Sequence, residues 1–183
     1  LESGMQSKNK PFVSNNSGNN EWYTPPEYIE KARRVMGSID VDPASSALAQ
    51  TIVNASVYYT ILEDGLDKEW NGNVWMNPPY ARKLIGMFTD KLVEQIDKEN
   101  VCQAIVLVNN QTESAWFSKI ISKASAVGFT KKRIKFIDEK GFPSGAPLQG
   151  QSVIYIGDSP KKFVDEFKDI CWCAYLWEVD YAV

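Results

Sequence analysis

Histidine is missing from all 183 residues, which removes imidazole as base, nucleophile or ligand and excludes any His-based triad. Cysteine is scarce: Cys102, Cys171 and Cys173 lack the spacing of a metal site, so zinc is excluded too and no metal is expected. Long hydrophobic runs are also lacking. The apolar stretches fall far short of the ~20 residues that span a bilayer and no signal peptide is visible, so no membrane partner is expected and the cytoplasm is the expected compartment. Nor is there an excess of positive charge. With 20 basic and 23 acidic residues the net charge is −3, so any contact with a polyanion has to come from a local cluster.

What is present is the composition of a folded protein. Hydrophobic residues make up 44% and charged residues 23%, within the globular range, and the length suits one domain with a sizeable core. Residues 1–4, ahead of Met5, have the character of a cloning scar and are set aside. Residues 5–20 are rich in Asn, Ser, Lys and Gly with almost nothing to bury, so residues 1–20 are expected to form a flexible arm and residues 21–183 the domain. No internal repeat is apparent.

Order is expected from Glu21-Trp22-Tyr23-Thr24-Pro25-Pro26-Glu27 onward. Thr24 as N-cap, Pro25 as first helical residue and Glu27 as third make a capping box; Tyr28, Ile29, Ala32, Val35 and Met36 recur at helical spacing, and Gly37 can close the helix. Residues 38–42 alternate as a strand through Asp40 and Asp42, and end in the tight turn Pro43-Ala44-Ser45-Ser46 before a short Ala-rich helix. A carboxylate at a strand's C-terminal tip beside a small-residue turn is where α/β proteins bind nucleotides. Further strands are expected at 57–59 and 74–76, with Glu63-Asp64-Gly65-Leu66 as a loop between them. A helix over about 82–98 places Ile85, Phe88, Leu92 and Ile96 on one face, and residues 104–108 are apolar throughout, as in a strand covered on both sides. A polar loop at 109–113 leads to a helix with Trp116, Ile120 and Ala124 inward. Strands at 126–129, 134–137, 152–156 and 171–179 and a helix near 161–168 complete the chain. Strands alternating with helices predict an open, mostly parallel α/β sheet with helices on both faces and antiparallel strands late in the chain.

Asn77-Pro78-Pro79-Tyr80 follows the third of these strands directly. Two prolines fix φ and remove two backbone donors, giving a rigid turn whose carbonyls remain able to accept. Asn77 adds a side-chain acceptor, the Pro78 carbonyl a second, and Tyr80 a ring on which a planar heterocycle can stack. An exocyclic amine has two protons to donate. Held by two acceptors it is pushed toward tetrahedral geometry, its lone pair leaves conjugation with the ring, and it can attack an electrophilic methyl group. The plainer alternative is an ordinary Pro-Pro strand exit with a core Tyr. The local cluster of positive charge lies at 131–140, where Lys131, Lys132, Arg133, Lys135 and Lys140 face only Asp138 and Glu139, a balance of +3.

The tetrapeptide resembles the signature of the amino-methyltransferases that use S-adenosylmethionine: Asp, Asn or Ser, then Pro-Pro, then an aromatic. Asn first and Tyr last favour adenine in DNA. Over residues 21–157 the chain resembles the phage-type DNA adenine-N6-methyltransferase family. Beside the tetrapeptide, the ordered features are Trp22-Tyr23-Thr24-Pro25-Pro26, Asp40-Val41-Asp42-Pro43-Ala44-Ser45, Tyr59-Thr60 with Glu63-Asp64-Gly65-Leu66 and Trp70, Thr112 with Trp116-Phe117, and Arg133-Ile134-Lys135-Phe136.

The resemblance implies a Rossmann-like methyltransferase fold, S-adenosylmethionine as cofactor and DNA as partner, with Asn77, Pro78, Pro79 and Tyr80 catalytic. It places Tyr23, Thr24 and Pro25 near the methionine end of the cofactor; capping of the helix by Thr24 is the plainer alternative, and the two are compatible. Asp42, or Asp40 instead, would meet the ammonium or ribose beside Pro43, Ala44 and Ser45. Asp64, Gly65 and Leu66 would meet the adenine or ribose, and Asn77 would border the cofactor as well. The glycines of the wider pattern Asp-Pro-x-x-Gly-x-Gly are missing after Asp42, where small residues stand in their place. In-line methyl transfer from a sulfonium needs alignment and no covalent nucleophile, which agrees with the lack of a cysteine near Asn77. The target adenine would have to leave the duplex. Lys131, Lys132, Arg133 and Lys135, with the loop 140–145, are the expected DNA surface; a solvated charge run is the plainer alternative. A protein-glutamine methyltransferase and a non-catalytic DNA-binding scaffold of the same fold stay open as alternatives.

Overall fold

Apolar alternation in the central strands gives the sheet two faces to cover, and the helices divide between them. The structure, a computed structural model, describes residues 23–138, 140–143 and 149–176, without the side chain of Arg82. The arm expected over 1–20, Glu21-Trp22, Glu139, Ser144-Gly145 and the end of the last expected strand lie outside the described residues.

The strands are β1 (Val41–Asp42), β2 (Val57–Tyr58), β3 (Gly72–Met76), β4 (Val101–Asn109), β5 (Ala126–Thr130), β6 (Gln151–Ile156) and β7 (Cys171–Tyr175), in spatial order β2-β1-β3-β4-β6-β5-β7. The helices are α1 (Pro26–Met36), α2 (Gln50–Val53), α3 (Arg82–Asp97), α4 (Ala115–Ile121) and α5 (Pro160–Phe167). On one face Trp75, Ile105, Leu107 and Tyr155 pack against Ile29 and Ala32 of α1 and Phe163 and Phe167 of α5. On the other, Val74, Met76, Val106 and Ile154 pack against Ile85, Phe88 and Leu92 of α3 and Phe117 and Ile120 of α4. Period-2 alternation along β3 and β4 thus serves both layers. The buried Lys31 ammonium fastens α1 to the end of α5, donating to the Glu166 carbonyl at 2.8 Å and to both Asp169 carboxylate oxygens at 2.9 Å.

The expected α/β class and the helices on both faces are found, but the sheet is mixed rather than mostly parallel. β1–β2, β1–β3 and β3–β4 pair in parallel; β4–β6, β5–β6 and β5–β7 pair antiparallel. Crossover helices α3 and α4 return β4 and β5 in the direction of β3, and β6 fits between them running the other way. The stretch 134–137 forms no strand. It contributes two isolated bridges, with Ile137 paired to Tyr23 and to Pro143, and buries Ile134 and Phe136 against the α1 face. The first strand is shorter than its alternation suggests, hydrogen-bonding as a strand only over Val41–Asp42.

The capping box is also corrected. Helix α1 starts one residue later, with Pro25 (φ −56°, ψ 142°) in the cap position, Pro26 in the first turn and no side-chain cap. Pro26 has no N–H, and that of Tyr28 already donates to the Pro25 carbonyl at 3.1 Å, so little of this helix end is left to bind an anion.

Candidate active site at the reversal of strand order

From β1 the chain reaches β2 on one side and β3 on the other, so the strand order reverses between β1 and β3. In open α/β sheets the crevice outside the carboxyl ends at such a reversal is the ligand position. Asp42 ends β1 and Asn77 follows the end of β3, so the two flank this crevice.

Asp42 is 3% exposed. Burial pushes its carboxyl up to about 6, against the opposing effect of hydrogen bonds from the Ser45 hydroxyl, the Ala44 N–H and Gln50. The Gln50 amide, at the start of α2, donates to Asp42 Oδ2 at 2.9 Å and to Ser45 Oγ at 2.8 Å, while its own oxygen accepts the Ala55 N–H at 2.8 Å. No charged group supplies any of these bonds. The turn Pro43-Ala44-Ser45 is fixed to the next strand by Tyr59 N–H to the Asp42 carbonyl (3.1 Å) and Ser45 N–H to the Tyr59 carbonyl (2.8 Å).

The Asp64-Gly65-Leu66 loop lies directly against that turn. A Cβ on Gly65 would stand 2.1 Å from the Pro43 carbonyl oxygen, so only glycine permits the approach. Asp64 has φ +48° and accepts the Leu66 N–H at 3.1 Å, and the buried Trp70 indole donates to the Gly65 carbonyl at 2.8 Å. Two segments singled out separately in the sequence are therefore in contact. Asp40 is not brought to them. Its carboxylate accepts the Asn73 N–H at 2.7 Å beside Gly72 (φ +91°), at the start of β3 and the opposite end of the sheet.

At the tip of β3, Pro78 is buried while Pro79 and Tyr80 are exposed. The Asn77 amide nitrogen donates to Thr24 Oγ1 at 3.2 Å, and the Tyr80 hydroxyl reaches Asn77 Oδ1 at 3.3 Å and the Leu107 carbonyl at 3.5 Å. Tyr80 is 40% exposed as a residue, yet burial holds its phenol well above the ordinary range. The two agree if the hydroxyl end is inside and the ring is left at the surface, which is the arrangement stacking requires.

The basic segment shares this edge. β5 runs in the same direction as β3 and β4, so residues 131–137 leave from the carboxyl side, about 14 Å from β3 at three strand spacings. They return to Tyr23, whose N–H donates to the Ile137 carbonyl at 3.0 Å and whose carbonyl accepts the Ile137 N–H at 2.9 Å. Lys132, Arg133 and Lys135 are exposed. Lys131 is engaged: its ammonium donates to the Lys168 carbonyl at 2.7 Å and lies 4.6 Å from the centre of the Trp172 ring. Pro25 is half-buried and takes the cap position of α1.

Three groups at this edge had no distinguishing mark in the sequence. Gln50 is one; a polar residue opening a short helix eight positions after Asp42 was the available signal. The others are Asn109 and Gln151, paired at the ends of β4 and β6, where the Gln151 amide donates to Asn109 Oδ1 at 2.9 Å. Among the described residues no group of three or more His, Cys, Asp or Glu is placed to hold a metal ion, and no helix is long and apolar enough to cross a membrane.

Fold and site define an α/β protein whose polar groups gather at the carboxyl edge, on both sides of a reversal of strand order. The family model for DNA N-6-adenine-methyltransferase (Dam) matches residues 13–162, and the chain belongs to that family. A DNA N-6-adenine-methyltransferase of Escherichia phage T1 is 31% identical over 108 residues, covering 58% of this chain and 42% of that protein. The match thus spans less than half the length of the phage relative.

Proposed function

We propose that the protein transfers a methyl group from S-adenosylmethionine to the exocyclic amine of an adenine flipped out of DNA. Membership of the DNA N-6-adenine-methyltransferase family supports the activity and the substrate. The observation that carries the residue assignment is the oriented Asn77 carboxamide, held between Thr24 and Tyr80 across the crevice from the buried Asp42.

The residues present fit the cofactor. A buried carboxylate with only neutral partners is unsatisfied in charge, and a ligand bearing an ammonium compensates it. Ala44 and Ser45 keep the turn after Asp42 free of large side chains, and the Gly65 contact keeps the second loop against the same turn. When bound, S-adenosylmethionine supplies a methyl group already activated on sulfonium. In this reading Asp42 and its turn bind the charged end, Asp64-Gly65-Leu66 lie toward the purine or ribose, and the sheet has the Rossmann-like role of a methyltransferase platform.

On the substrate side, Asn77 Oδ1 and the Pro78 carbonyl accept the two amine protons and direct the lone pair toward the methyl. The exposed Tyr80 ring takes the flipped base. Stacking returns ~1–3 kcal/mol, comparable to the few kcal/mol that unstacking costs. The surface of Lys132, Arg133 and Lys135 meets DNA phosphate along the same edge.

The test is radiolabelled methyl transfer to unmethylated duplex DNA, with mass spectrometry of the product nucleosides. N6-methyladenine from the parent protein and none from Asn77→Ala, with cofactor binding kept, is the expected result. Transfer by Asn77→Ala at the parent rate overturns the assignment.

A further inference from the structure

We infer that Asn109 reads the flipped adenine, donating its side-chain NH2 to a ring nitrogen beside the reacting amine, with the sense of its carboxamide fixed by Gln151. This rests on the proposal that adenine is methylated at Asn77. The two residues are paired across the ends of β4 and β6, at the carboxyl edge of the sheet. Asn109 is half-buried and Gln151 is 1% exposed.

Alternation and register bring the pair to the crevice. Trp75, Leu107 and Val153 all belong to the α1 face, so Asn77, Asn109 and Gln151, each two positions away along the chain, lie on that face too. The bond from Asn77 to Thr24, at the start of α1, agrees with this. Trp75 is level with Ile105, which sets Asn77 level with Leu107, whose carbonyl is 3.5 Å from the Tyr80 hydroxyl. Asn109 stands one alternation further out on the neighbouring strand, about 8 Å from Asn77 between Cα atoms by strand geometry. A purine stacked on Tyr80 with its amine at Asn77 is within reach of both amides.

The sense of each amide follows from a backbone carbonyl, which can only accept. Gln151 Nε2 donates to the Gln149 carbonyl at 3.1 Å, and turning the amide over would set oxygen against oxygen. The same NH2 donates to Asn109 Oδ1 at 2.9 Å, so oxygen is the inner end of Asn109. Among the described residues no hydrogen bond holds the Asn109 NH2. The Gln151 oxygen is buried with no partner among those residues, a loss of about 1–3 kcal/mol that an apolar side chain of similar length would avoid. What the glutamine contributes is therefore its nitrogen, which orients Asn109. The adenine amine is flanked by N1 on one side and N7 on the other, and both are unprotonated acceptors, so a fixed NH2 matches either.

The experiment uses duplex DNA of one sequence carrying adenine, 1-deazaadenine or 7-deazaadenine, each analogue lacking one of the two ring nitrogens. The parent should lose roughly three- to tenfold in kcat/KM on one analogue, the scale of one neutral hydrogen bond. Asn109→Ala, and Asn109→Asp, which keeps the shape without the NH2, should lose that discrimination. Any change in the intrinsic reactivity of the analogue appears in all three proteins and cancels. Equal rates of the parent on all three DNAs, or parental discrimination by either variant, overturns the inference. A second readout needs no activity: in 15N spectra of the parent, with side-chain NH2 signals assigned by their loss in Asn109→Ala and Gln151→Met, the Gln151 NH2 should exchange slowly and the Asn109 NH2 fast. Slow exchange of the Asn109 NH2 in the free protein shows it already engaged and overturns the inference as well. Failure of the parent to methylate adenine in any DNA sinks the functional proposal and this inference together, whereas methylation without discrimination sinks the inference alone.

Discussion

Replacing Asp42 by Asn removes one charge and almost no volume from the most buried carboxyl group of the crevice. Burial, only partly offset by the hydrogen bonds it accepts, raises the carboxyl from an ordinary 3.8 to about 6, which at about 1.4 kcal/mol per pH unit disfavours the charged form by about 3 kcal/mol. The native state therefore holds this proton to higher pH than the unfolded chain does. Between 3.8 and about 6 it binds more protons, so stability falls as pH rises through that window and is level above it. Asn does not incur this loss, but it has one accepting oxygen where the carboxylate has two, at a cost of about 1 kcal/mol in hydrogen bonding. Asp42→Asn without cofactor should then be more stable than the parent by about 1–2 kcal/mol at pH 8, with the advantage gone below pH 4. Urea unfolding of both proteins at the two pH values measures it. An equal difference at both pH values refutes the argument, because only a titrating native carboxyl makes the gap depend on pH. Added S-adenosylmethionine should reverse the order at pH 8: at 100 times its dissociation constant it stabilises the parent by about 2.7 kcal/mol and leaves the variant where it was.

Gly65→Ala places a methyl 2.1 Å from the Pro43 carbonyl oxygen and 3.3 Å from Tyr59 Cβ, and since the nearer atom is backbone the two loops must part. A loss of about 1–3 kcal/mol and weaker cofactor binding are expected from thermal melts with and without S-adenosylmethionine; an unchanged melt contradicts the packing. On the DNA side, Lys132→Ala, Arg133→Ala and Lys135→Ala should each flatten the dependence of log K on log salt by up to about 0.9 per lost phosphate contact. Lys131→Ala should change it less, since that ammonium is already docked on Lys168 and Trp172. Slopes unchanged from the parent's in all four would move the DNA surface elsewhere.

Positions fixed by adjacent residues were legible in the sequence; positions that depend on a partner far along the chain were not. Asn77-Pro78-Pro79-Tyr80 after an apolar strand, and Asp42 before a small-residue turn, both lie where their local patterns place them, and the apolar faces of α1, α3 and α4 follow from helical spacing. Asp40 and Asp42 were indistinguishable by alternation, because what separates them is Asn73, whose N–H draws the Asp40 carboxylate toward the other end of the sheet. The capping box at Thr24 obeyed a sound local rule and yielded to a tertiary bond from Asn77. β5 and β6 were legible as strands by composition, but their order and direction depend on which edge the crossover of α4 reaches, and no residue encodes that by itself.

The Tyr23–Ile137 bridge bears on how the site comes into being. Joining residues roughly a hundred apart in the chain costs about 4 kcal/mol in loop entropy, and two backbone bonds outside any extended ladder return little of it. The clasp is therefore held shut mainly by the burial of Ile134, Phe136 and Tyr23 beside it. With few contacts of its own, it is expected to open at lower free energy than the sheet itself. A molecule with the clasp undone would keep its secondary structure and lose the seat of Thr24. Amide exchange at Tyr23 and Ile137, set against exchange in β4, would report how often the protein is folded yet not assembled for catalysis.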